Sequence, residues 1–442
     1  MIPSIIQHLD SNLRLRRATP ADAEALAAFD AGILSDAGPD MPDDRIGVWV
    51  HDLLTRPHPT FQPGDFTVVE DTRTGQIVSS LNLISQTWTY AGLPFKVGRP
   101  ELVATGPAYR KRGLVRKQFD VIHAWSAERG ELAQAITGIP WYYRQFGYEM
   151  TVNLGGARLG YEMQMPKLKE GEGEPFTIRP ATESDLPFFA EVSDAGHRRD
   201  LLACQRDEAL WWYELDGKSE RNVNRRVLCV IESIDGSAVG VLAHPPFLWG
   251  DVLVATEYEL APGVSWLAVT PSVARYLWAT GQRYAEAEKK KCAAFGLGFG
   301  ESHPAYAAMR DRTPGEWKPY AWYLRVPDEV AFLRHITPVL EQRLADSIAV
   351  GHSGELKVGF YRSGVRIKFD AGRLSFEPWQ PQVGEDRDAA FPDRTFLHLL
   401  FGHRTFDELR QIYPDCGVEG DTARVLLEAL FPKRLSNLWP VS

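Results

Sequence analysis

Two stretches decide the fold: Glu101-Leu102-Val103-Ala104-Thr105 and, after a helix, Trp141-Tyr142-Tyr143-Arg144-Gln145-Phe146-Gly147-Tyr148. The first is an apolar run that predicts a strand. A turn at Gly106-Pro107 leads into the basic segment Tyr109-Arg110-Lys111-Arg112-Gly113-Leu114-Val115-Arg116. Apolar residues then recur at helical spacing as far as Trp125, and residues 133–139 predict a second strand. The order is therefore strand, glycine turn, helix and strand.

A glycine turn that joins a strand to a helix start can bind an anion. The first N–H groups of a helix have no partner within the helix, and they carry the positive end of its dipole. Gly113 allows a ligand to approach the backbone closely, and Arg110, Lys111, Arg112 and Arg116 surround it. Taken alone, the basic run also fits a solvated helix start that binds nothing. With Tyr143 and Gly147 at their distance from it, the segment predicts a diphosphate site.

The spacing of these residues resembles the GNAT N-acetyltransferases. The relevant pattern is Arg110-x-x-Gly113-x-Val115 after a strand ending Val-Ala-Thr, followed by Tyr143-x-x-x-Gly147-Tyr148. In that family the turn holds the pyrophosphate of acetyl-CoA, and the tyrosine lies near the thioester sulfur. The strongly basic turn, with Val115 in place of Gly or Ala, resembles the enhanced-intracellular-survival (Eis) branch. The resemblance implies acetyl-CoA as cosubstrate and no metal.

Length and composition limit the class of protein. At 442 residues the chain is long enough for about three domains. Its net charge of −9 argues against nucleic acid or an anionic membrane as partner. The four cysteines are far apart and form no C-x-x-C, which argues against a zinc site or a disulfide framework. Without a visible signal peptide or an apolar run of spanning length, we expect a cytoplasmic protein.

The opening of the chain recurs in its middle. Leu15-Arg16-Arg17-Ala18-Thr19-Pro20-Ala21-Asp22 returns as Ile178-Arg179-Pro180-Ala181-Thr182-Glu183-Ser184-Asp185. Each copy predicts a strand, a helix N-cap at the threonine and an acidic first turn. R-x-A-T-x-x-D also resembles the usual opening of a GNAT domain. The sequence thus predicts an α+β chain whose residues 1–166 and 176–326 form two tandem GNAT-like mixed-sheet domains, the first of them catalytic.

The second copy has no basic glycine turn. An apolar run at residues 265–269 predicts a strand there, passing at Pro271 into a helix that starts at Ser272. We therefore expect a degenerate domain that packs, shapes the substrate cleft or aids assembly. Residues 327–442 predict a helix interrupted at Pro338, a three-stranded antiparallel meander and three helices. That order resembles the sterol-carrier-protein-like domain that ends the Eis proteins, although the fold does not imply lipid carriage.

Acetyl transfer to an amine requires a bound thioester, donors for the developing oxyanion, a general acid and a base. The resemblance makes Tyr143 the general acid that protonates the coenzyme A sulfur; a core aromatic is the alternative. The resemblance also predicts the cofactor contacts, which are Val103, Ala104, Thr105, Lys111, Arg112, Gly113, Leu114, Val115, Arg116, Gly138 and Ile139.

Two carboxylates compete as the base. In Eis proteins the C-terminal carboxylate reaches the active site, which makes the carboxylate of Ser442 one candidate. Glu101 is the other, acting directly or through water. Strand alternation predicts that Glu101, Val103 and Thr105 share one face.

Two functions from different classes remain open. The first is an acetyl-CoA-dependent N-acetyltransferase that acts on a primary amine of a small molecule or peptide through a ternary complex. The second is a non-catalytic acyl-CoA-binding or lipid-binding protein that uses the GNAT domains as a scaffold. The retained turn and Tyr143 favour the first. The identity of the amine and the presence of a homo-oligomer stay open.

Overall fold

A computed structural model describes residues 4–10, 12–382 and 386–441, which combine helices with several separate β-sheets. The strands are β1 (Ile5–His8), β2 (Leu13–Arg17), β3 (Phe66–Asp71), β4 (Gln76–Tyr90), β5 (Leu93–Thr105), β6 (Ala133–Ile136), β7 (Glu149–Leu154), β8 (Ala157–Tyr161), β9 (Phe176–Pro180), β10 (Leu202–Gln205), β11 (Val227–Ser233), β12 (Ala238–His244), β13 (Val252–Ala255), β14 (Glu257–Leu260), β15 (Ala294–Leu297), β16 (Gly315–Trp317), β17 (Tyr320–Arg325), β18 (Gly354–Gly359), β19 (Gly364–Asp370), β20 (Arg373–Trp379), β21 (Ala389–Ala390) and β22 (Gly417–Val418). The helices are α1 (Ala23–Ile33), α2 (Asp44–Thr55), α3 (Leu114–Glu128), α4 (Leu186–His197), α5 (Glu208–Trp212), α6 (Trp266–Glu288), α7 (Pro304–Ala308), α8 (Glu329–His335), α9 (Thr337–Ala345), α10 (Phe396–Leu400), α11 (Phe406–Ile412) and α12 (Gly420–Leu430).

The first sheet has the order β1-β2-β3-β4-β5-β6-β17-β7, and β10 pairs with the far end of β4. Its neighbours are antiparallel except β5 and β6, which run parallel and pair only at Val97↔Ala133 and Gly98↔Gln134. Beyond these pairs the two strands separate, leaving a gap in the middle of the sheet. Helix α3, with Phe119 and Ile122 buried, covers one face of the sheet, and α1 and α2 cover the other.

A β-bulge in β5 corrects the predicted alternation. Ala104 pairs with Ser80 but Glu101 pairs with Asn82, so β5 has one residue more than β4 here, and Leu102 has φ +53°. A bulge of this kind reverses the faces beyond it. Val103 therefore packs on the α3 side, whereas Glu101 bonds to Arg99 on the opposite side. The prediction that Glu101, Val103 and Thr105 share one face was wrong.

The repeated opening motif has the same bonding in both copies. Thr19 and Asp22 form a capping box, and so do Thr182 and Asp185. In the first copy the arginine of the motif, Arg16, pairs with the capping aspartate and with Glu70 on β3. In the second copy the motif arginine makes the same two pairs, with the capping aspartate and with a glutamate on β11. The recurrence is thus structural, because a single bonding pattern anchors each helix to its sheet.

The predicted strand at residues 265–269 was wrong, because these residues begin α6. Ser265 is the N-cap, and Val269, Val273 and Leu277 form a buried helical face. Pro271 lies inside the helix, where it removes only the one hydrogen bond that its missing N–H would have made. An apolar run of this length cannot be assigned to strand or helix by hydrophobicity alone.

Strands are exchanged between the predicted domains. The middle segment contains a sheet of order β14-β12-β11-β9 and another of order β13-β15-β8-β16. Strand β8, from residues 1–166, pairs with β15, whereas β17, from the end of the middle segment, pairs with β6 and β7 of the first sheet. The boundaries 1–166, 176–326 and 327–442 remain predictions, and these two strands cross them.

The C-terminal segment has the predicted elements. Helices α8 and α9 are separate, β18, β19 and β20 form an antiparallel meander, and α10, α11 and α12 follow. One hydrophobic core joins this segment to the first sheet, with Trp88 and Trp322 on one side and Phe332 on the other. Residues 437–441, which we call the tail, then return to the first sheet, where Asn437 bridges to Asn153 on β7.

Candidate functional site

A cavity of about 620 Å³, which we call the turn cavity, opens beside the gap between β5 and β6. Val103 and Thr105 of β5, residues 110–116 and Tyr143 border it. The α3 side of the sheet therefore brings together the strand, the basic turn and the tyrosine. These are the residues that the sequence predicts to act together.

The start of α3 offers free donors to this cavity. The first hydrogen bond of the helix runs from Lys117 N–H to Gly113 carbonyl, and the N–H groups of Leu114, Val115 and Arg116 have no partner among the residues described. Gly113 takes φ +73°, a conformation that glycine adopts without strain, and a Cβ there would meet nothing within 4 Å. The positive backbone conformation, and not close packing, is therefore what requires glycine at this turn.

The basic side chains of the turn are engaged to different degrees. Arg112 pairs with Asp10 at 2.5 Å, and Arg116 donates to Gln145 at 3.1 Å. The Arg110 guanidinium lies 3.4 Å from the Thr105 carbonyl. Lys111 has no ion pair with any described residue. An anion in the turn cavity would therefore meet free backbone donors and a lysine that no described carboxylate neutralises.

Three predicted cofactor contacts have other bonds. Ala104 is buried away from the turn cavity, and its carbonyl accepts from Ser79 at 2.8 Å. The carbonyl of Gly138 accepts from Tyr320, and that of Ile139 accepts from Tyr323 at 3.0 Å. Ile139 still borders the turn cavity. These bonds hold the residues after β6 against β17. The β6 side of the gap between β5 and β6 is therefore fixed in position.

Tyr143 stands between the turn cavity and the aromatic core. Its ring packs against Phe119 and Tyr323, with centroids 6.0 and 5.4 Å away. Its hydroxyl has no hydrogen-bond partner among the described residues, and a Cβ on Gly138 would lie 3.3 Å from it. Burial, followed by the nearby Glu101 carboxylate, raises the pKa of Tyr143 well above its ordinary value. The hydroxyl therefore keeps its proton until a stronger base is presented to it.

Glu101 lies on the opposite face, held by an arginine that the sequence analysis missed. Arg99 is 1% exposed and donates to Glu101 Oε1 from two nitrogens, at 3.0 and 2.7 Å. Its remaining terminal nitrogen donates to the carbonyl of Val441 at 2.6 Å. Oε2 of Glu101 accepts from no described residue. Ser442, the competing base, lies outside the described residues.

Other polar groups on this face were also missed. Asp30 of α1 is fully buried and accepts from Ser80 at 2.6 Å, and its second oxygen has no partner in the described part of the chain. Asn82, which pairs with Glu101 across the strands, is buried, and neither of its amide atoms bonds to a described residue. In the sequence, such groups could have been recognised as polar residues at core-facing positions of apolar strands. The faces of β5, however, could be assigned only once the bulge was known.

A second cavity, of about 600 Å³, lies between the tail and the middle segment, and we call it the tail cavity. Glu257 and Glu259 of β14, Cys204 of β10 and Arg226 border it, and it extends to Val441. It therefore reaches the residue that Arg99 binds, on the face of the first sheet that carries Glu101.

Among the residues that the structure describes, no group of three or more His, Cys, Asp and Glu side chains is placed to hold a metal ion. No helix within residues 4–10, 12–382 and 386–441 is long and apolar enough to cross a membrane.

Residues 14–151 match the family model of the acetyltransferase (GNAT) domain. This range contains the gap between β5 and β6, the basic turn and Tyr143. The region is therefore a GNAT acetyltransferase domain, a class of enzyme domain that takes its acyl group from acyl-CoA. No curated protein matches the chain in sequence.

Solved structures extend the likeness beyond the matched domain. A probable N-acyltransferase from Enterococcus faecalis is 14% identical with a TM-score of 0.65, over 97% of this chain and 98% of that one. A GCN5-related N-acetyltransferase from Kribbella flavida is 17% identical with a TM-score of 0.59, over 96% and 97%. Eis1 from Mycobacterium abscessus is 12% identical with a TM-score of 0.61, over 96% and 99%. At these identities the likeness concerns the fold, and it spans nearly the whole chain.

Proposed function

We propose that the protein transfers an acetyl group from acetyl-CoA to a primary amine of a small molecule or peptide. The observation that carries the proposal is the turn cavity, which combines the free N–H groups of α3, the basic turn and the Tyr143 hydroxyl at one opening of the sheet. The donors of residues 113–116 suit a diphosphate, and the edge of β5 at Val103 suits the pantetheine arm. Acyl-CoA and acceptor then approach from opposite faces of the sheet and meet at the gap.

Tyr143 serves in this proposal as the general acid. The leaving coenzyme A thiolate needs a proton, and Tyr143 carries one beside the gap while making no competing hydrogen bond with a described residue. As the carbon–sulfur bond breaks, the Tyr143 proton passes to the leaving sulfur, which gives the neutral coenzyme A thiol and a tyrosinate. The hydroxyl is later reprotonated from water or by exchange with the acceptor's proton.

A carboxylate on the Glu101 face serves as the base. Glu101 has a free oxygen, and Arg99 fixes its orientation. The carboxylate of Ser442 is the alternative, supported by the burial of Val441 and its bond to Arg99. Either group would accept a proton from the acceptor's ammonium, directly or through water, and so produce the neutral amine that attacks the thioester.

The first experiment measures acetyl-CoA-dependent thiol release with polyamines, aminoglycosides, lysine and lysine peptides. We expect release that requires an amine. Tyr143→Phe, which keeps the ring contacts, should lower kcat about 100-fold or more and leave the KM for acetyl-CoA nearly unchanged. Tyr142→Phe, on the neighbouring ring, is the matched control and should stay within a few-fold of the parent. An unchanged rate in Tyr143→Phe would show that another group protonates the thiolate.

The same assay separates the two bases. Glu101→Gln keeps an acceptor for Arg99 but cannot take a proton, and deletion of Ser442 removes the other carboxylate from its position. Whichever change removes the base should lower kcat by about 100-fold and abolish its dependence on pH in the acidic range. If both variants keep the parental rate and pH profile, neither carboxylate is the base. Acetyl-CoA binding without turnover on any amine would instead support the non-catalytic acyl-CoA-binding or lipid-binding function.

The middle and C-terminal segments also have roles in the proposed enzyme. The middle segment repeats the bonding of the first motif but has no basic turn at the start of α6, so we propose that it is a degenerate GNAT-like domain. The C-terminal meander and helices are proposed to be a sterol-carrier-protein-like domain. Both contribute walls to the acceptor side of the site.

A further inference from the structure

The tail cavity contains an arginine whose carboxylate-binding edge is open. Arg226 uses Nη1 for two backbone carbonyls of its own turn, Arg225 at 2.9 Å and Val223 at 3.3 Å. Its Nε and Nη2 donate to no described residue, and these two nitrogens are the parallel donors with which arginine grips a carboxylate. Arg226 also borders the tail cavity, so a ligand bound there lies next to this side chain.

The carboxylates around Arg226 are already paired with other cations. Glu214 is bound to Lys218 at 2.5 Å, with both side chains at least 95% buried. Glu257 is bound to Arg206 at 2.8 Å, and Glu259 pairs with Arg199. Arg226 has no carboxylate within 4.0 Å among the described residues. A buried guanidinium without a carboxylate partner among the described residues is costly unless a ligand supplies the anion.

Arg226 and Arg99 both act on one buried neighbour, Lys218. Burial lowers the pKa of Lys218 to about 8, and the Arg226 and Arg99 guanidinium groups contribute to that lowering. Cys204, which borders the tail cavity, experiences the Arg99 charge as well. The tail cavity is bordered both by Arg226 and by Val441, the residue that Arg99 holds beside Glu101.

We infer that the tail cavity binds the acceptor, and that the acceptor carries a carboxylate, gripped by Arg226, in addition to the amine that is acetylated. This inference rests on the proposed acetyl transfer and narrows its substrate class to amino acids and peptides with a free carboxylate. The carboxylate anchors the acceptor at the far end of the cavity, and its amine extends along the tail towards Glu101. No covalent step beyond the acetyl transfer is involved.

The test compares acceptors that differ only in the carboxylate. Lysine, lysinamide and cadaverine carry the same side-chain amine, with an anionic, a neutral and no carboxyl-derived group. We expect the parent protein to prefer lysine over either of the others by roughly 10- to 100-fold in kcat/KM, mostly through KM. Arg226→Met should remove the preference for lysine. Arg226→Lys should retain part of it, because lysine keeps the positive charge but lacks the two parallel N–H donors of arginine.

A matched control comes from the same connecting segment. Arg221→Met also removes one positive charge, but Arg221 is exposed and pairs with Asp44 at the surface, so the preference should persist. Unchanged KM for acetyl-CoA and unchanged unfolding temperature would show that Arg226→Met leaves the fold and the turn cavity intact. Equal kcat/KM for the three acceptors in the parent, or a preference that survives Arg226→Met, would overturn the inference while leaving acetyl transfer established. Absence of transfer to every amine would instead refute the proposed function.

Discussion

At the scale of single residues, the Glu101 face of the first sheet depends on polar groups buried among apolar ones. Arg99 binds Glu101 and the Val441 carbonyl, and its guanidinium also lies 5.4 Å from the centre of the Trp322 ring. A guanidinium with only 1% exposure must have most of its donors satisfied, because an unpaired buried charge is costly. Arg99 therefore links β5 to the tail, so a shift of either would disturb the other.

Asp30 provides a stability test on the same face. Burial raises the pKa of Asp30 to about 8, from 3.8, and only Ser80 donates to it. Because the folded-state pKa is the higher one, stability is greatest below the unfolded pKa and falls as pH rises towards 8. Asp30→Asn cannot ionise and keeps an acceptor for Ser80. The variant should therefore gain stability over the parent, and the gain should be larger at pH 8 than at pH 5, measured by thermal unfolding.

Asp22 provides the control, because its substitution should change the stability in the opposite direction. Asp22 pairs with Arg16 and caps a helix, and these hydrogen bonds outweigh its desolvation and lower the pKa of its carboxyl. Asp22→Asn should thus destabilise the protein near neutral pH, by an amount that shrinks as pH falls. If Asp30→Asn instead loses stability at pH 8, its carboxyl is ionised and paired in the folded protein.

At the scale of helices and strands, the sequence correctly predicted the elements that depend on residues close together in the chain. The amphipathic spacing from Leu114 to Trp125 corresponds to α3, the interruption at Pro338 corresponds to two helices, and the three alternating runs correspond to the meander. The capping pattern of both opening motifs was likewise confirmed. These features depend on residues within a few positions of one another, so their signals are contained in the sequence around them.

The failures at this scale involve partners distant in sequence. The face of Glu101 depends on a bulge that is defined only by the pairing of β5 with β4. Residues 265–269 begin a helix whose buried face runs from Val269 to Val273 and Leu277, whereas Leu267 is 72% exposed, so the run does not form a buried strand. Arg226 and Arg99 were missed for the same reason, since the carbonyls and cavity that define their roles come from other parts of the chain. Tertiary pairing, and not local propensity, decided each of these cases.

At the scale of the whole molecule, the tail connects the three segments at one point. Trp439 donates to the carbonyl of Gly298 in the middle segment at 2.7 Å, and Trp322 of the first sheet donates to the Leu438 carbonyl at 3.0 Å. A Cβ on Gly155 would lie 3.0 Å from the Trp439 ring. Glycine just after β15 likewise lets the tail pack closely against the middle segment. A Cβ on Gly300 would lie 2.8 Å from Asn437.

Removing this contact should affect both stability and catalysis. Trp439→Ala should lower the free energy of unfolding by about 2–4 kcal/mol, because a large ring leaves a packed site. It should also lower kcat, because the Val441 carbonyl then no longer fixes Arg99 beside Glu101. The KM for acetyl-CoA should stay unchanged, because the turn cavity lies on the opposite face of the sheet. Trp317→Ala, at a ring 39% exposed, is the control and should change neither quantity comparably. A stability loss with unchanged kcat, measured below the unfolding temperature, would mean that the tail holds the segments together without positioning the base.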